Sequence, residues 1–144
     1  MEGKWVRRYL DLAKLVSTWS KDPSSKFGAV IVDENNSVVS LGFNGFASGF
    51  EDTPERWNDR EFKYRHVLHA EENAILNAGR PVRGCTIYIQ CMPCSVCMSR
   101  IAQVGISKVV CGEPTEDYLS RWSIEEPMQV AQECGIEVIQ VKEE

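Results

Sequence analysis

Long apolar runs and an excess of positive charge are both absent from this sequence of 144 residues. No apolar run approaches the roughly 20 residues that a membrane-spanning helix requires, and the N-terminus lacks the apolar core of a signal peptide. The formal net charge of −5 would repel a polyanion at neutral pH. We therefore expect a soluble protein of the cell interior that binds neither a nucleic-acid polymer nor a membrane.

Histidine is scarce and cysteine is not, since the chain contains two histidines and six cysteines. In a reducing compartment, closely spaced thiols bind metal more often than they form disulfides. Cys94 and Cys97 have this spacing. Cys91 lies three residues before Cys94 and could lie near a metal bound there, but three ligands are already assigned, so we do not expect Cys91 to be one. We interpret the remaining cysteines as small buried apolar residues: Cys85, Cys111 and Cys134.

Two short motifs, His-Ala-Glu at 69–71 and Pro-Cys-Ser-Val-Cys at 93–97, together predict a catalytic zinc site. One imidazole and two thiols provide three ligands for a tetrahedral Zn²⁺ and leave a fourth position for water, whereas closed structural sites take four protein ligands. Glu71 is not needed for the metal, so its carboxyl is free to transfer protons. A solvated Glu71 beside a structural zinc is the alternative, but the sequence shows no fourth ligand.

This pattern, H-x-E followed by P-C-x-x-C, is the signature of zinc-dependent nucleobase deaminases. Removal of the amine from cytosine requires a proton on ring N3 and later a proton on the departing amine. One carboxyl can carry both protons, and we expect Glu71 to do so. Both motifs are predicted at helix starts, where the positive end of the helix dipole favours thiolates.

The spacing of apolar residues predicts an α/β fold. Helices are predicted over 5–19, 70–78, 94–103 and 124–134, and strands over 29–32, 38–43, 86–89, 108–111 and 137–141. Residues 45–68 are predicted to form a long irregular loop. Strands that alternate with helices imply a mixed five-stranded sheet covered on both faces, a three-layer α-β-α architecture. The length predicts one domain over 1–144.

Four segments, in order along the chain, resemble the deoxycytidylate (dCMP) deaminases. They are residues 22–30, 42–45, 69–75 and 93–97. The insertion between Gly45 and His69 is also similar to that family, whereas the resemblance fades after Cys111. Cytidine deaminases carry cysteine in place of His69, and tRNA-adenosine deaminases generally lack the insertion. The resemblance implies the cytidine deaminase-like fold.

The resemblance also implies an activity, cofactors and partners. The expected reaction is hydrolysis of dCMP to dUMP and ammonia, which supplies dUMP for thymidylate synthesis. We also expect one Zn²⁺ per subunit and assembly into a homohexamer. The resemblance further implies control by dCTP as activator and dTTP as inhibitor, with Mg²⁺. We expect a cytoplasmic protein, or one of the host cytoplasm if it is of phage origin.

By the same resemblance, several residues are expected to contact the substrate. Asn44 is expected to hydrogen-bond the deoxyribose, and the loop that contains Ser24 and Lys26 is expected to lie near the 5′-phosphate. Ala70, between the metal ligand and Glu71, is expected to lie against the substrate. Asn-Gly turns and polar loops are common without such roles, so these assignments depend on the family context.

Two further groups of residues are hypotheses. Tyr118 and Arg121 offer a hydroxyl and a guanidinium group that suit a phosphate, and an intersubunit salt bridge is the alternative for Arg121. An effector is expected in the insertion, where a rigid loop at a subunit interface is the alternative reading. The residues predicted to bind this effector are Phe46, Glu51, Glu55, Arg56 and Trp57.

Other functions remain open from the sequence. The chain could deaminate another base, in cytidine, in tRNA adenosine or in a 5-substituted dCMP, because the pocket at C5 cannot be read from sequence. It could also be a non-catalytic nucleotide sensor on a deaminase scaffold. The presence of Glu71 weighs against a sensor, since a protein that only binds has no use for that carboxyl.

Overall fold

Helices and strands alternate along residues 3–142, the part of the chain that the computed structural model describes. The helices are α1 (Gly3–Ser17), α2 (Pro54–Asn58), α3 (Arg60–His66), α4 (Ala70–Leu76), α5 (Ser95–Gln103), α6 (Glu116–Arg121) and α7 (Glu125–Cys134). The strands are β1 (Gly28–Val32), β2 (Val38–Phe43), β3 (Thr86–Ile89), β4 (Lys108–Gly112) and β5 (Glu137–Val141). None of these helices combines the length and the apolar character needed to cross a bilayer.

The strands within residues 3–142 form one mixed sheet in the order β2-β1-β3-β4-β5. β1 pairs antiparallel with both β2 and β3, whereas β3, β4 and β5 run parallel to one another. Parallel neighbours need crossovers longer than a hairpin, and α5 and α7 lie in these crossovers. The predicted mixed five-stranded sheet is therefore confirmed.

Apolar side chains point alternately to the two faces of β1, a strand inside the sheet. Ala29 and Ile31 join the core formed with α4, α5 and α7. Val30 and Val32 join the core formed with α1. Helices thus cover both faces of the sheet, which confirms the three-layer α-β-α architecture.

The strand directions bring four segments of the chain to one edge of the sheet, the edge at which the parallel strands β3, β4 and β5 end. Gly28 at the start of β1 is opposite Phe43 at the end of β2, and Ala29 is opposite Ile89 at the end of β3. Ile89 in turn is opposite Cys111 near the end of β4. The segment before β1 and the segments after β2, β3 and β4 therefore meet at this edge, where most of the predicted site residues lie.

Two glycines allow helices to lie close to the sheet near this edge. A Cβ atom on Gly42 would lie 2.3 Å from Ala74 N and 2.4 Å from Ala70 O in α4. A Cβ atom on Gly28 would lie 2.0 Å from Ala13 O in α1. Because no side chain fits at these distances, glycine at these two positions lets both helices approach the sheet this closely.

Residues 45–68 do not form the irregular loop that the sequence predicts. They contain α2 and α3, whose caps Thr53 and Asp59 each accept a hydrogen bond from a backbone N–H of the first turn. Gly45 and Leu68 pair in an antiparallel bridge that closes the segment. Helices of five and seven residues are too short to show a helical periodicity, which is why the pattern does not reveal them. The short helix α6 is not predicted from the sequence for the same reason.

The other predicted elements are confirmed, with ends that differ by two residues at most. Cys85 and Cys111 are buried, as predicted. Cys134 is exposed, so its interpretation as a buried residue is wrong. It is the last residue of α7, where Gly135 takes a left-handed conformation and the chain leaves the helix.

The Gly42→Ala substitution is expected to lower the free energy of unfolding by about 1–3 kcal/mol, the usual cost of overpacking. The added methyl group would meet backbone atoms of α4, which cannot rotate away as a side chain can. Urea denaturation measures the change. Gly45→Ala is the matched control, because nothing lies within 4 Å of a Cβ atom there. Equal losses in both variants would contradict this role of Gly42.

Candidate metal and catalytic site

His69 is the N-cap residue of α4, directly before the first helical residue. Its backbone N–H donates to Glu72 Oε1 at 2.8 Å, which holds the first turn of the helix. The other carboxylate oxygen of Glu72 pairs with Arg100 Nε of α5 at 3.0 Å. These contacts link the two helices that carry the predicted metal ligands.

Cys94 and Cys97 lie at the start of α5, where Cys94 is the N-cap residue. The backbone N–H of Cys97 donates to Cys94 Sγ at 3.5 Å. His69 Nδ1 is 3.2 Å from Cys97 Sγ and 3.8 Å from Cys94 Sγ. Within residues 3–142, no other set of three or more His, Cys, Asp or Glu side chains converges in this way.

The donor set and its spacing fit a tetrahedral Zn²⁺. With Zn–S of about 2.3 Å and Zn–N of about 2.0 Å, tetrahedral geometry separates neighbouring ligand atoms by about 3.5–3.8 Å. The three ligand atoms observed here all lie within 4.8 Å of one another. One imidazole nitrogen and two sulfurs are donors that suit zinc. Cys91 lies outside this cluster.

Hydrogen bonds among the three side chains change their acidity. The pKa of Cys94 is lowered to about 3, chiefly because the Cys97 thiol donates to its sulfur. The same hydrogen bond raises the pKa of Cys97. The pKa of His69 is also raised, first by its hydrogen bond to Cys94. Cys94 is thus the thiol that ionises first, and thiolate is the form that binds metal.

Glu71 is buried in the first turn of α4, two residues after His69. Its exposed fraction of 5% contradicts the alternative of a solvated glutamate. Burial is the main reason that the pKa of its carboxyl is raised to about 7, since desolvation disfavours the charged form. A carboxyl with a pKa near the working pH is suited to accept and return a proton.

Asn44 follows β2 and is buried, with its amide group engaged within the protein. Nδ2 donates to Asp22 Oδ2 at 3.2 Å and to Ser25 O at 2.9 Å. Oδ1 accepts from Phe27 N at 2.9 Å. Both amide hydrogens are therefore used, and a sugar hydroxyl could reach only the second lone pair of Oδ1.

Two other residues predicted to contact the substrate, Ser24 and Lys26, lie in the loop before β1, and a third, Ala70, is the first residue of α4. Ser24 is exposed, and its backbone N–H donates to Asp22 Oδ1 at 2.8 Å. Lys26 Nζ donates to Ser20 O at 2.5 Å, which holds its ammonium group at the loop. Ala70 is buried in the core at the start of α4.

Of the two residues predicted at the phosphate end, Tyr118 lies at the site and Arg121 lies on the surface. Tyr118 Oη donates to Met92 O at 3.2 Å, next to the segment that carries the cysteine ligands. Burial is the main reason that the pKa of its hydroxyl is raised to about 12. Arg121 is exposed and pairs with Asp117 at 3.6 Å, one helical turn earlier.

The residues predicted to bind an effector belong to a group of aromatic rings or lie beside it. We call this group the aromatic cluster: Phe46, Phe50, Trp57, Phe62 and His66. Phe46 stacks on Trp57 with ring centroids 4.1 Å apart. Arg56 lies over two rings of the cluster and donates to Glu51 O at 3.1 Å. The side chains of Glu51 and Glu55 are exposed beside it.

A cavity of about 190 Å³ lies between the aromatic cluster and Asn44. Trp57 contributes to its wall, and within residues 3–142 the Nε1 of this tryptophan is the only buried side-chain nitrogen or oxygen without a hydrogen-bond partner. This indole N–H can donate to an acceptor group. The residues that line the cavity are Trp19, Lys21, Phe43, Asn44, Gly45, Phe46, Asp52 and Trp57.

A buried ion pair between Lys63 and Asp22, at this edge of the sheet, is not predicted from the sequence. Lys63 Nζ lies 2.9 Å from the carboxylate of Asp22, and both side chains are largely buried. The two residues are 41 positions apart, so no local pattern pairs them. The only signal was the Asp-Pro-Ser-Ser segment at 22–25, which is typical of a turn held by an aspartate side chain.

The sequence of this chain matches a known protein family over most of its length. The profile of the cytidine and deoxycytidylate deaminase zinc-binding region matches residues 3–113, which include the three converging ligands and Glu71. This chain belongs to the cytidine and deoxycytidylate deaminase family. The predicted resemblance is confirmed, and membership of this zinc-binding family supports Zn²⁺ as the metal of the His69, Cys94 and Cys97 cluster.

Relatives within this deaminase family differ in how much of their length the chain covers. An uncharacterized deaminase from Aliivibrio fischeri is 49% identical over 142 residues, a match that covers 96% of this chain and 94% of that protein. The human deoxycytidylate deaminase is 38% identical over 113 residues, covering 74% of this chain and 64% of the human protein. The match to a probable deoxycytidylate deaminase of Caenorhabditis elegans covers 54% of that protein. The chain thus spans between about half and two thirds of these animal relatives.

Solved structures of deaminases share the fold. The dCMP deaminase from the cyanophage S-TIM5, in complex with dCMP and dUMP, matches with a TM-score of 0.79 and 28% identity, covering 98% of this chain and 99% of that chain. A tRNA:A34 deaminase matches with a TM-score of 0.62 at 17% identity, which shows the common fold alone. The predicted cytidine deaminase-like fold is confirmed.

The purified chain is expected to carry one Zn²⁺, and Cys97→Ala is expected to lose nearly all of it, because two ligands hold zinc far more weakly than three. Elemental analysis by mass spectrometry measures the ratio of zinc to chain. Cys91→Ala is the matched control and should retain its metal, since Cys91 lies outside the cluster. Equal zinc loss in both cysteine variants would show that the ligand set is different.

Proposed function

We propose that this chain is a deoxycytidylate deaminase, formed by one domain over residues 1–144, that hydrolyses dCMP to dUMP and ammonia and so supplies dUMP for thymidylate synthesis. The observation that carries the proposal is a buried Glu71 beside a cluster of three ligands that has no fourth protein ligand within residues 3–142. The human relative described as deoxycytidylate deaminase and the cyanophage enzyme solved with dCMP and dUMP support this substrate.

Glu71 would move the protons of the reaction. His69, Cys94 and Cys97 would hold Zn²⁺, which when bound supplies Lewis acidity that makes water a nucleophile near neutral pH. Glu71 takes a proton from the attacking water and delivers it to N3 of cytosine, which makes C4 more electrophilic. After the water oxygen has bonded to C4, Glu71 transfers the remaining hydroxyl proton to the 4-amino group, which leaves as ammonia. The ring then has a carbonyl at C4 and a proton on N3, which is uracil.

The loop before β1 and the segment after β4 would bind the rest of the nucleotide. Asn44 Oδ1 has one lone pair left to accept a deoxyribose hydroxyl. Ser24 and Lys26 lie in the loop beside it, and Tyr118 lies near the cysteine segment. Arg121 would have to leave Asp117 to reach a phosphate. Exposed pairs of this kind contribute little to stability, so a phosphate can compete for the guanidinium group.

Regulation by nucleotides and assembly into a homohexamer are part of the proposal. We place the effectors dCTP and dTTP, each with Mg²⁺, at the aromatic cluster and its cavity. Arg56 offers a guanidinium group for phosphates, and the buried indole N–H of Trp57 offers a donor. Large exposed apolar side chains support association of subunits, since Leu76 is 68% and Trp122 is 60% exposed.

The Glu71→Gln variant is expected to lose at least about 100-fold in kcat for dCMP while it keeps its zinc, because glutamine cannot transfer the protons. Release of ammonia is assayed with dCMP, CMP, deoxycytidine and a tRNA. The wild-type chain should show the highest kcat/KM for dCMP by a wide margin.

The control for this test is Glu133→Gln, which neutralises an exposed glutamate of α7. Its kcat for dCMP should equal that of the wild type. Wild-type activity that is equal on deoxycytidine and dCMP would contradict the assigned substrate, and an active Glu71→Gln variant would contradict the assigned proton carrier.

At subsaturating dCMP, dTTP with Mg²⁺ is expected to lower the initial rate and dCTP with Mg²⁺ to raise it. The Arg56→Met variant should lose both responses, since it removes the guanidinium group at the aromatic cluster. Arg8→Met is the matched control, because Arg8 also lies over an aromatic ring, that of Trp5 in α1. If the initial rate of the wild-type chain does not change with the concentration of dTTP or dCTP, the chain has no effector site of the proposed kind.

A further inference from the structure

Asp22 is a carboxylate with almost no access to solvent, since its residue is 2% exposed. Its Oδ1 accepts from the backbone N–H groups of Ser24 at 2.8 Å and Ser25 at 3.2 Å. Its Oδ2 accepts from Asn44 Nδ2 at 3.2 Å. One carboxylate therefore holds both the turn of the loop before β1 and the buried amide of Asn44.

Lys63 supplies the positive charge that a buried carboxylate requires. Its Nζ lies 2.9 Å from both carboxylate oxygens of Asp22, and its side chain is 13% exposed. The same Nζ lies 6.0 Å from the centroid of the Trp57 ring, a cation–π contact with α2. Through this ammonium group, α3 contacts a loop that lies 41 positions earlier in the sequence.

Burial distinguishes this ion pair from the other ion pairs found between residues 3 and 142. In each of the others at least one side chain is more than half exposed. Exposed pairs contribute little to stability because water screens them, whereas removing one partner of a buried pair leaves a charge without compensation. The Asp22–Lys63 pair is therefore the one whose loss should rearrange its surroundings.

The contacts of Asp22 also determine how Asn44 is oriented. The carboxylate of Asp22 and the carbonyl of Ser25 can only accept hydrogen bonds, and the N–H of Phe27 can only donate. The amide therefore has to point Nδ2 at the first two and Oδ1 at the third. If the carboxylate of Asp22 moved away, Asn44 would lose one of the contacts that select this orientation.

We infer that Lys63 is a positioning residue of the nucleotide site: through Asp22 it holds the loop over residues 20–27 and the amide of Asn44 in the arrangement that receives the substrate. This inference rests on the proposed function. Lys63 belongs to α3 and contacts Asp22, and it is not part of the metal cluster. It therefore acts on the affinity for the nucleotide and not on the transfer of protons by Glu71.

The test compares Lys63→Met, which removes the charge and keeps the apolar stem, with Lys63→Arg, which keeps the charge. The KM for dCMP is expected to rise about tenfold in Lys63→Met with kcat within about twofold of wild type, and Lys63→Arg is expected to recover most of the loss. Lys108→Met is the matched control, since it breaks an exposed pair with Glu137 on β5. Its KM should not change.

The double variant Asp22→Asn, Lys63→Met removes both charges and is expected to unfold at a higher urea concentration than Lys63→Met, because the single variant leaves a buried carboxylate unpaired and the double variant does not. Its KM for dCMP should nevertheless stay raised, since one amide oxygen cannot replace both carboxylate oxygens that contact the loop and Asn44. If Lys63→Met does not fold, the double variant and Lys63→Arg provide the comparison. A double variant with the KM of the wild type would overturn the inference.

Hydrogen–deuterium exchange of the backbone amides tests the same inference without substrate. Amides of residues 24–27 in this loop are expected to exchange about tenfold faster in Lys63→Met and at the wild-type rate in Lys108→Met. Unchanged exchange in this loop, or a loss confined to kcat, would overturn the positioning role. If the wild-type chain does not deaminate dCMP, the proposed function is wrong, and the exchange rates alone decide the role of Lys63.

Discussion

Two helix starts that are distant in sequence must meet at one edge of the sheet for this metal site to exist. α4 carries His69, and α5 carries Cys94 and Cys97. Gly42 lets α4 lie against β2, and the Glu72–Arg100 ion pair ties α4 to α5. Because histidine and cysteine side chains are short, the three ligand atoms converge only while the backbones of both helices hold this relative position. The chemistry therefore depends on how tightly the helices pack on the sheet.

Burial gives two carboxyl groups near this edge different uses. Asp22 is surrounded by N–H donors and the ammonium group of Lys63, so it serves as a fixed acceptor that organises the loop and Asn44. Glu71 is buried in an environment where desolvation dominates, and the pKa of its carboxyl is raised to about 7. A group that changes its protonation state at little cost is suited to carry a proton. In the proposed reaction, Asp22 and Asn44 would form a rigid end for the nucleotide, and Glu71 would transfer protons beside the three metal ligands.

Local spacing made the metal cluster and most of the fold predictable. Cys94 and Cys97 are one helical turn apart, so their convergence follows from helix geometry, and the core elements have clear apolar periods. The short helices α2 and α3 depend on caps and on packing of the aromatic cluster, which no periodicity shows. The Asp22–Lys63 pair and the surface position of Arg121 depend on contacts that only the folded chain defines. Contacts between residues that are distant in the chain therefore could not be predicted from the sequence.

The measurement that tests the central claim most directly is X-ray absorption at the zinc edge of the purified, active chain. One imidazole nitrogen, two sulfurs at about 2.3 Å and one additional light atom from solvent are the coordination that this structure predicts. A fourth protein ligand, such as a third sulfur, would close the position that water needs. Full activity in a chain without zinc would contradict the metal-dependent account altogether.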